Sequence, residues 1–125
     1  MKEEYKTIEM IEMDYRLMVY IKGLRNGKFT QEELSIAMGL NRSFVGNVES
    51  LLQPQKYGTR HLTLLAKAFK FKKVEELFKF PTPKNDKIKL TLKITSKPKK
   101  DGTPSKGKNV EVVKIEAIQQ GHELL

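Results

Sequence analysis

The sequence predicts a mainly α protein in which five helices precede a C-terminal antiparallel β-hairpin. Apolar residues recur at three- and four-residue steps between residues 13 and 80, the period of helices that bury one side. Two prolines then end the helical pattern. Over residues 87–94, apolar and polar residues alternate, as in a half-buried strand. We therefore expect a helical domain over residues 1–83 and a hairpin extension over residues 84–125.

The first predicted helix runs from Asp14 to Arg25, and Asn26-Gly27 supplies its stop signal. Its apolar stripe is expected to face the core and consists of Met13, Leu17, Tyr20, Ile21 and Leu24. Residues 2–12 show no clear period. We interpret them as an N-terminal extension that can join this helix.

Residues 30–49 predict two short helices joined by a turn. Thr30 caps the first helix and precedes acidic residues in its first turn. Gly39 lies where the turn must leave the right-handed region, which glycine does without steric cost. The next helix is expected to open at Asn41. Its predicted buried residues are Phe44, Val45 and Val48, and its predicted outward residues are Arg42, Ser43, Gly46 and Asn47. This pattern describes a helix-turn-helix, whose second helix can enter the major groove of DNA.

Two further helices are predicted before residue 83. Pro54 and Gly58 indicate a loop over residues 51–58. Thr59 can cap a fourth helix, with Leu62, Leu65, Ala66 and Phe69 as its buried residues. A fifth helix is expected over residues 72–80.

The hairpin extension combines two predicted strands with a lysine-rich connection. The first strand has an apolar face of Ile88, Leu90, Leu92 and Ile94 and a cationic outer face. Residues 96–109 contain no hydrophobic residue, which predicts a long mobile loop. Residues 110–118 are β-branched and predict the returning strand. Because an isolated hairpin is marginal in water, its apolar face must be covered by the helical domain or by a second subunit.

Composition narrows the classes of protein. The chain has 24 basic and 15 acidic residues, a net charge of +9, and residues 84–109 alone carry nine lysines and two aspartates. Such a chain attracts polyanions. The absence of cysteine excludes a disulfide framework and a thiolate zinc site. No apolar run is long enough to span a membrane and no secretory signal opens the chain, so we expect a cytoplasmic protein.

The helix-turn-helix resembles that of the lambda-repressor and Cro family, the Xre-like transcriptional regulators of bacteria and phages. The matching residues are TQEEL at 30–34, GL at 39–40, FV at 44–45, VE at 48–49, HLTLLAKAF at 61–69 and VEELF at 74–78. The resemblance covers residues 13–80 and not the remainder. It implies a five-helix head that binds double-stranded DNA sequence-specifically, for example as a repressor. Ser35 departs from the family pattern, since it replaces a small apolar residue, but it is itself small.

The outward residues of the second motif helix are the candidates for contact with base edges. Arg42 can donate two hydrogen bonds to a guanine, and Asn47 can pair with an adenine edge. Ser43 can touch a base or a phosphate, while Asn41 is expected mainly to cap the helix. The alternative is that Arg42 is simply solvated.

A second group of candidates would contact the DNA backbone. The resemblance implies that Gln31 binds a phosphate at the start of the first motif helix, where free amides also favour an anion. Lys56, Tyr57 and Arg60 flank the start of the fourth helix. They form either a second phosphate-binding cluster or three solvated side chains. Because a small head touches few bases, we expect a homodimer on paired half-sites.

One acidic residue in the motif is expected to be structural. Glu49 resembles the family's glutamate that pairs with an arginine of helix one, and Arg25 is the only near candidate here. Enzyme, metal and cofactor functions are not expected, because the two histidines lie far apart and no phosphate-binding glycine loop is present. A small-molecule effector is not indicated. The alternative function is a protein-interaction adaptor or antitoxin component built on the same helices.

Overall fold

The computed structural model describes residues 3–98 and 104–118, with side chains described for residues 3–96 and 109–118. In chain order the elements are β1 (Glu3–Ile11), α1 (Glu12–Arg25), α2 (Gln31–Ala37), α3 (Phe44–Glu49), α4 (Thr59–Ala68), a 3-10 turn (Val74–Leu77), β2 (Lys87–Pro98) and β3 (Pro104–Ala117). They form two compact units. The helical unit spans Met13–Pro83, and the sheet unit comprises the residues before and after it.

The predicted mainly α fold with five helices is wrong. The described residues form four α-helices and a three-stranded antiparallel sheet in the order β1-β2-β3. The N-terminal segment interpreted as an extension is strand β1, which pairs with β2 from Glu3↔Thr95 to Ile11↔Lys87. The predicted boundary at residue 83 groups residues 3–12 with the helices, whereas the structure places them in the sheet unit.

The predicted fifth helix over residues 72–80 is a 3-10 turn of four residues. Lys73 before it has extended backbone, with φ −126° and ψ 133°, and supplies no side-chain cap. Pro81 disfavours helical geometry at Phe80, so the helical segment is limited at both ends. The apolar spacing still serves packing, because Leu77 is fully buried and Phe80 lies on Tyr20 with ring centroids 5.5 Å apart.

β2 lies at the centre of the sheet, and its alternation was predicted correctly. Its apolar residues are buried within the single chain: Ile88, Leu90, Leu92 and Ile94 are at most 4% exposed. Directly opposite them lie Met10 and Ile8 on β1 and Val112 and Ile115 on β3. Covering this face therefore does not require a second subunit, which was one of the two covers that the sequence left open.

The lysine-rich connection is mostly strand rather than loop. Pairing between β2 and β3 continues through Ser96↔Lys108 and Pro98↔Pro104, with a register irregularity between the two pairs. Of the loop predicted over residues 96–109, only residues 99–103 lie outside the described part of the chain. A second irregularity, between Thr91 and Leu92, makes Val113 an extra residue on β3.

The helical unit is built around one apolar core. Its most buried side chains come from every helix and from the 3-10 turn: Leu17, Met18, Ile21, Leu34, Val45, Val48, Leu65 and Leu77. Met13, which was predicted to belong to this core, is instead 42% exposed. None of the helices in the described residues is long and apolar enough to cross a membrane.

Candidate nucleic-acid interface

The helix-turn-helix is formed by α2, the Gly39 turn and α3. Thr30 Oγ1 accepts a hydrogen bond from Glu33 N at 3.0 Å, and Glu33 Oε1 accepts one from Thr30 N at 2.8 Å, so the predicted cap is a full capping box. Gly39 has φ +76°, the left-handed geometry that its position predicted. Leu40 N then donates to Ser35 O at 3.0 Å, which closes the end of α2.

An ion pair beneath α3 joins three elements of the helical unit. Arg25, the last residue of α1, donates from Nε and Nη2 to the two carboxylate oxygens of Glu49, both at 2.6 Å. Gln31 Nε2 at the start of α2 donates to Glu49 Oε1 at 2.9 Å. The side chains of Arg25 and Glu49 are 11% and 2% exposed. The predicted pairing of these residues is confirmed, and it fixes α3 against both α1 and α2.

The buried carboxylate changes the proton affinity of its neighbours. Hydrogen bonding to Glu49 raises the pKa of Arg25 above its usual value, although burial acts in the opposite direction. Burial raises the pKa of the Tyr57 hydroxyl well above its usual value, and the charge of Glu49 adds to that effect. Arg25 and Tyr57 therefore keep their protons at any physiological pH.

Ser35 supplies a second link between α2 and α3. Its side chain is fully buried, and its hydroxyl donates to Gln31 O and accepts from Val45 N, both at 2.9 Å. The first-turn amides of a helix have no partner within the helix, so this hydroxyl satisfies one that would otherwise be buried and unpaired. The departure from an apolar residue at this position is thus a contact that holds the start of α3.

Gly46 also belongs to this junction rather than to the outer face. A Cβ added to Gly46 would lie 3.2 Å from Gln31 Oε1, which is tighter than ordinary van der Waals contact. The glycine was predicted to face outward. Its position instead leaves room for the Gln31 side chain beside Glu49.

The exposed polar residues at the start of α3 lie in a turn that precedes the helix. The helix was predicted to open at Asn41, but α3 begins at Phe44. Asn41 Oδ1 accepts from Ser43 N at 3.0 Å and from Ser43 Oγ at 2.8 Å, so Asn41 caps this turn. It does not cap the helix as expected, because the cap position of α3 is Ser43, which makes no side-chain capping bond. The side chain of Arg42 is 76% exposed and lies 3.8 Å from Glu32. Asn47 is half-buried, one helical turn after Ser43.

The three candidates near α4 are not equivalent. Arg60 is exposed on the first turn of α4. Lys56 Nζ donates to the carbonyls of Gln53, Pro54 and Gln55 at 3.3–3.4 Å, so its ammonium already stabilises the preceding loop. Tyr57 is only 7% exposed. Since a buried hydroxyl cannot lie on a phosphate at the surface, the expectation of a backbone contact by Tyr57 is corrected.

The environment of Tyr57 is aromatic on one side and charged on the other. Its ring lies 6.0 Å from that of Phe44. Its hydroxyl oxygen is buried with no hydrogen-bond partner among the described residues. The same region contains His61, whose ring lies 4.6 Å from Phe44 and whose Nδ1 accepts from Gly58 N at 2.8 Å. His61 rather than Thr59 therefore completes the cap of α4.

Several contacts at this site were not predicted from the sequence. The hydroxyl of Ser35, the bond from Gln31 to Glu49 and the approach of Glu32 to Arg42 all join residues on different elements. One signal was available for His61, because a polar acceptor at the third helical position is part of a capping box.

Comparison of the chain with protein-family models, curated proteins and solved structures finds no match.

Proposed function

We propose that this chain is a sequence-specific double-stranded DNA-binding protein that regulates transcription in the cytoplasm. The observation that carries the proposal is the contrast across α3. One side is fixed by a buried ion pair and by the Ser35 hydroxyl, while exposed polar side chains stand at its start. Precise placement of a short polar surface is what hydrogen bonding to base edges requires.

Arg42 is the principal candidate for base contact. Its only ion pair among the described residues is the one with Glu32, and both side chains are more than half exposed. Exposed pairs of this kind contribute at most about 1 kcal/mol, so DNA can displace Glu32 at little cost. The guanidinium can then donate two parallel hydrogen bonds to a guanine. Ser43 and Asn47 are the shorter candidates for base contact.

The backbone contacts in this proposal come from Gln31 and Arg60, with Lys56 as a weaker contributor. Gln31 keeps one amide hydrogen beyond its bond to Glu49 and is exposed at the first residue of α2. The helical unit contains 12 basic and six acidic residues, so its net charge of +6 favours approach to a polyanion. The resemblance of residues 13–80 to lambda-repressor-like regulators points the same way.

Selection from random duplex DNA, performed with the full chain at moderate salt, tests the proposal. We expect an enriched motif. Arg42→Ala should cost about 1–3 kcal/mol and relax preference at one base pair. Arg42→Lys is the matched control, since it keeps the charge but loses the planar two-donor geometry. If Arg42 acts only as a charge, the lysine variant will retain the motif, and base contact by Arg42 is then wrong.

Arg60→Ala should behave differently. A phosphate contact carries no sequence information, so its loss should weaken binding to all duplexes alike and lower the salt slope by about one unit.

One observation favours the alternative function of a protein-interaction adaptor. Ile36 on α2 is 58% exposed, more than any other large aliphatic side chain among the described residues. If selection returns no enriched motif, the adaptor becomes the better hypothesis, and Ile36→Ser should then abolish partner binding.

A homodimer on paired half-sites remains part of the proposal. Sedimentation of the full chain with and without a two-half-site duplex tests it. Truncation after residue 83 is not a suitable experiment, because it removes β2 and β3 and leaves β1 without its partner strand.

A further inference from the structure

Among the described residues, the β2–β3 hairpin continues past the end of β1 at Glu3. The last β2 residue that pairs with β1 is Thr95, opposite Glu3. Residues 96–98 pair only with β3 among the described residues, through Ser96↔Lys108 and Pro98↔Pro104. We call this two-stranded extension, residues 96–98 and 104–108, the basic arm.

Charge distinguishes the basic arm from the rest of the sheet. The three-stranded part has one face on which lysine and glutamate lie opposite each other across the strands, as in Glu9↔Lys89↔Glu116 and Lys93↔Glu111. The charged residues of that face are Lys87, Lys89, Lys93, Lys114, Glu3, Glu9, Glu111 and Glu116. Its net charge is therefore zero. The arm carries Lys97, Lys106 and Lys108 and no acidic residue.

The backbone of the arm is unsuited to binding another strand. Pro98 and Pro104 face each other, and neither has an N–H to donate to a neighbouring strand. The register irregularity between Ser96 and Pro98 leaves two extra residues on β3, which bends the ribbon. Both features discourage edge-to-edge pairing, so a further β-strand is not the ligand.

We propose that the basic arm is a second DNA-binding element, which contacts phosphates of duplex DNA without sequence preference. A two-stranded antiparallel ribbon has dimensions that a DNA groove accepts. Lysine is suited to phosphate as a point charge on a flexible stem. The inference deepens the proposed function and rests on its ligand, duplex DNA, but it assigns the contact to the sheet unit.

The test compares two variants of the full chain that lose the same net charge. One is K97Q/K106Q/K108Q in the arm, and the matched control is K87Q/K89Q/K114Q in the charge-balanced face. Affinity for a random duplex is measured at several salt concentrations. If each arm lysine neutralises one phosphate, the salt slope should fall by about 2.7 in the arm variant. If both proteins bind equally at 1 M salt, this is a loss of about 500-fold at 0.1 M salt. The control should lose less than one unit of slope.

Equal loss of slope in the two variants would overturn the proposal, because net charge alone would then explain binding. Thermal melting of both variants checks folding. Should the arm variant melt early, K97R/K106R/K108R must keep the wild-type slope if the proposal is right. Vesicles containing phosphatidylserine provide the competing surface. A difference between wild type and arm variant on vesicles but not on duplex DNA would assign the arm to membranes instead.

The outcomes separate this inference from the proposed function. An unchanged slope in the arm variant, with an enriched motif that Arg42→Ala relaxes, refutes the arm alone. A reduced slope without any enriched motif supports the arm and refutes sequence-specific binding by α3.

Discussion

The helical unit and the sheet unit place their charged side chains in opposite ways. In the helical unit, Arg25 and Glu49 form a buried pair with two bonds of 2.6 Å, and the remaining charges leave a net excess of six. In the three-stranded sheet, lysine and glutamate on neighbouring strands share one face, as in Lys93 and Glu3, whose charged atoms lie 3.4 Å apart. In the helical unit, a buried ion pair therefore positions α3. On the sheet face, positive and negative charges mostly cancel.

Removing one partner of the buried Arg25–Glu49 pair should have the largest effect on stability. Arg25→Ala or Glu49→Ala should destabilise the protein by about 3–5 kcal/mol, because an unpaired charge remains in a water-poor site. Denaturant unfolding of the full chain measures the effect. The double variant R25M/E49L should recover much of the loss, since no charge is left buried.

The sheet supplies the control for that experiment. Glu3→Gln removes the exposed partner of Lys93, and the cost should be far smaller than that of Arg25→Ala, as for other surface ion pairs. A cost close to that of Arg25→Ala would show that the two units do not differ in the way described.

Ser35→Ala should give the next largest effect. The amide of Val45 would then be buried without an acceptor, which costs about 1–3 kcal/mol. Binding to the selected motif should weaken more than binding to random duplex, because the start of α3 loses its positioning contact. Ser50→Ala is the control, since the Ser50 hydroxyl accepts only a long 3.4 Å bond from Leu52 N. Equal effects of the two variants on motif preference would contradict a positioning role for Ser35.

Tyr57→Phe is expected to stabilise the protein slightly. The hydroxyl is buried without a partner, so its removal eliminates a desolvation cost of about 1 kcal/mol while the ring packing is kept. DNA affinity should not change. A clear loss of affinity for all duplexes would instead support the predicted contact between the Tyr57 hydroxyl and a phosphate, which the burial of that hydroxyl contradicts.

Acidification should produce the smallest change, through His61. Burial and then the charge of Arg60 lower the pKa of His61 below its usual value, and Nδ1 must be unprotonated to accept from Gly58 N. The contribution of His61 to stability is therefore complete above the unfolded-state pKa of about 6.5 and is lost as the pH falls through the lower folded-state pKa. Melting temperatures between pH 7.5 and 5 measure it. His61→Gln, which caps without titrating, should flatten this part of the profile.

Much of the helical unit could be predicted because its signals are local. Thr30 and Glu33 are three residues apart, and Gly39 alone indicates its turn. The contacts that position α3 were harder to predict, because they join residues distant in the sequence. The hydroxyl of Ser35, for example, accepts from an amide ten residues away. Glu49 was recognised only through a resemblance to a known family.

β1 escaped prediction for a different physical reason. Only Ile8 and Met10 supply apolar side chains on its inner face, where Lys6 lies opposite Leu92 and Glu4 opposite Ile94. The alternation of period two is therefore interrupted, and the partner strand lies about 80 residues further along the chain. The prediction of a fifth helix was wrong for the opposite reason. Its apolar spacing was typical of a helix, but the backbone at Lys73 is extended and an α-helix does not form.

The hydrogen bonds between Glu12 and residues 85–86 have a consequence for the order of folding. Glu12 N donates to Asp86 O at 2.9 Å and Glu12 Oε1 accepts from Asn85 N at 2.8 Å, so the chain leaves and re-enters the sheet at one point. The whole helical unit is an insertion between two neighbouring strands. During synthesis, β1 leaves the ribosome first but stays without a partner until β2 has followed it. Closing that span carries a loop-entropy cost, so we expect the helices to fold early and the sheet to form last.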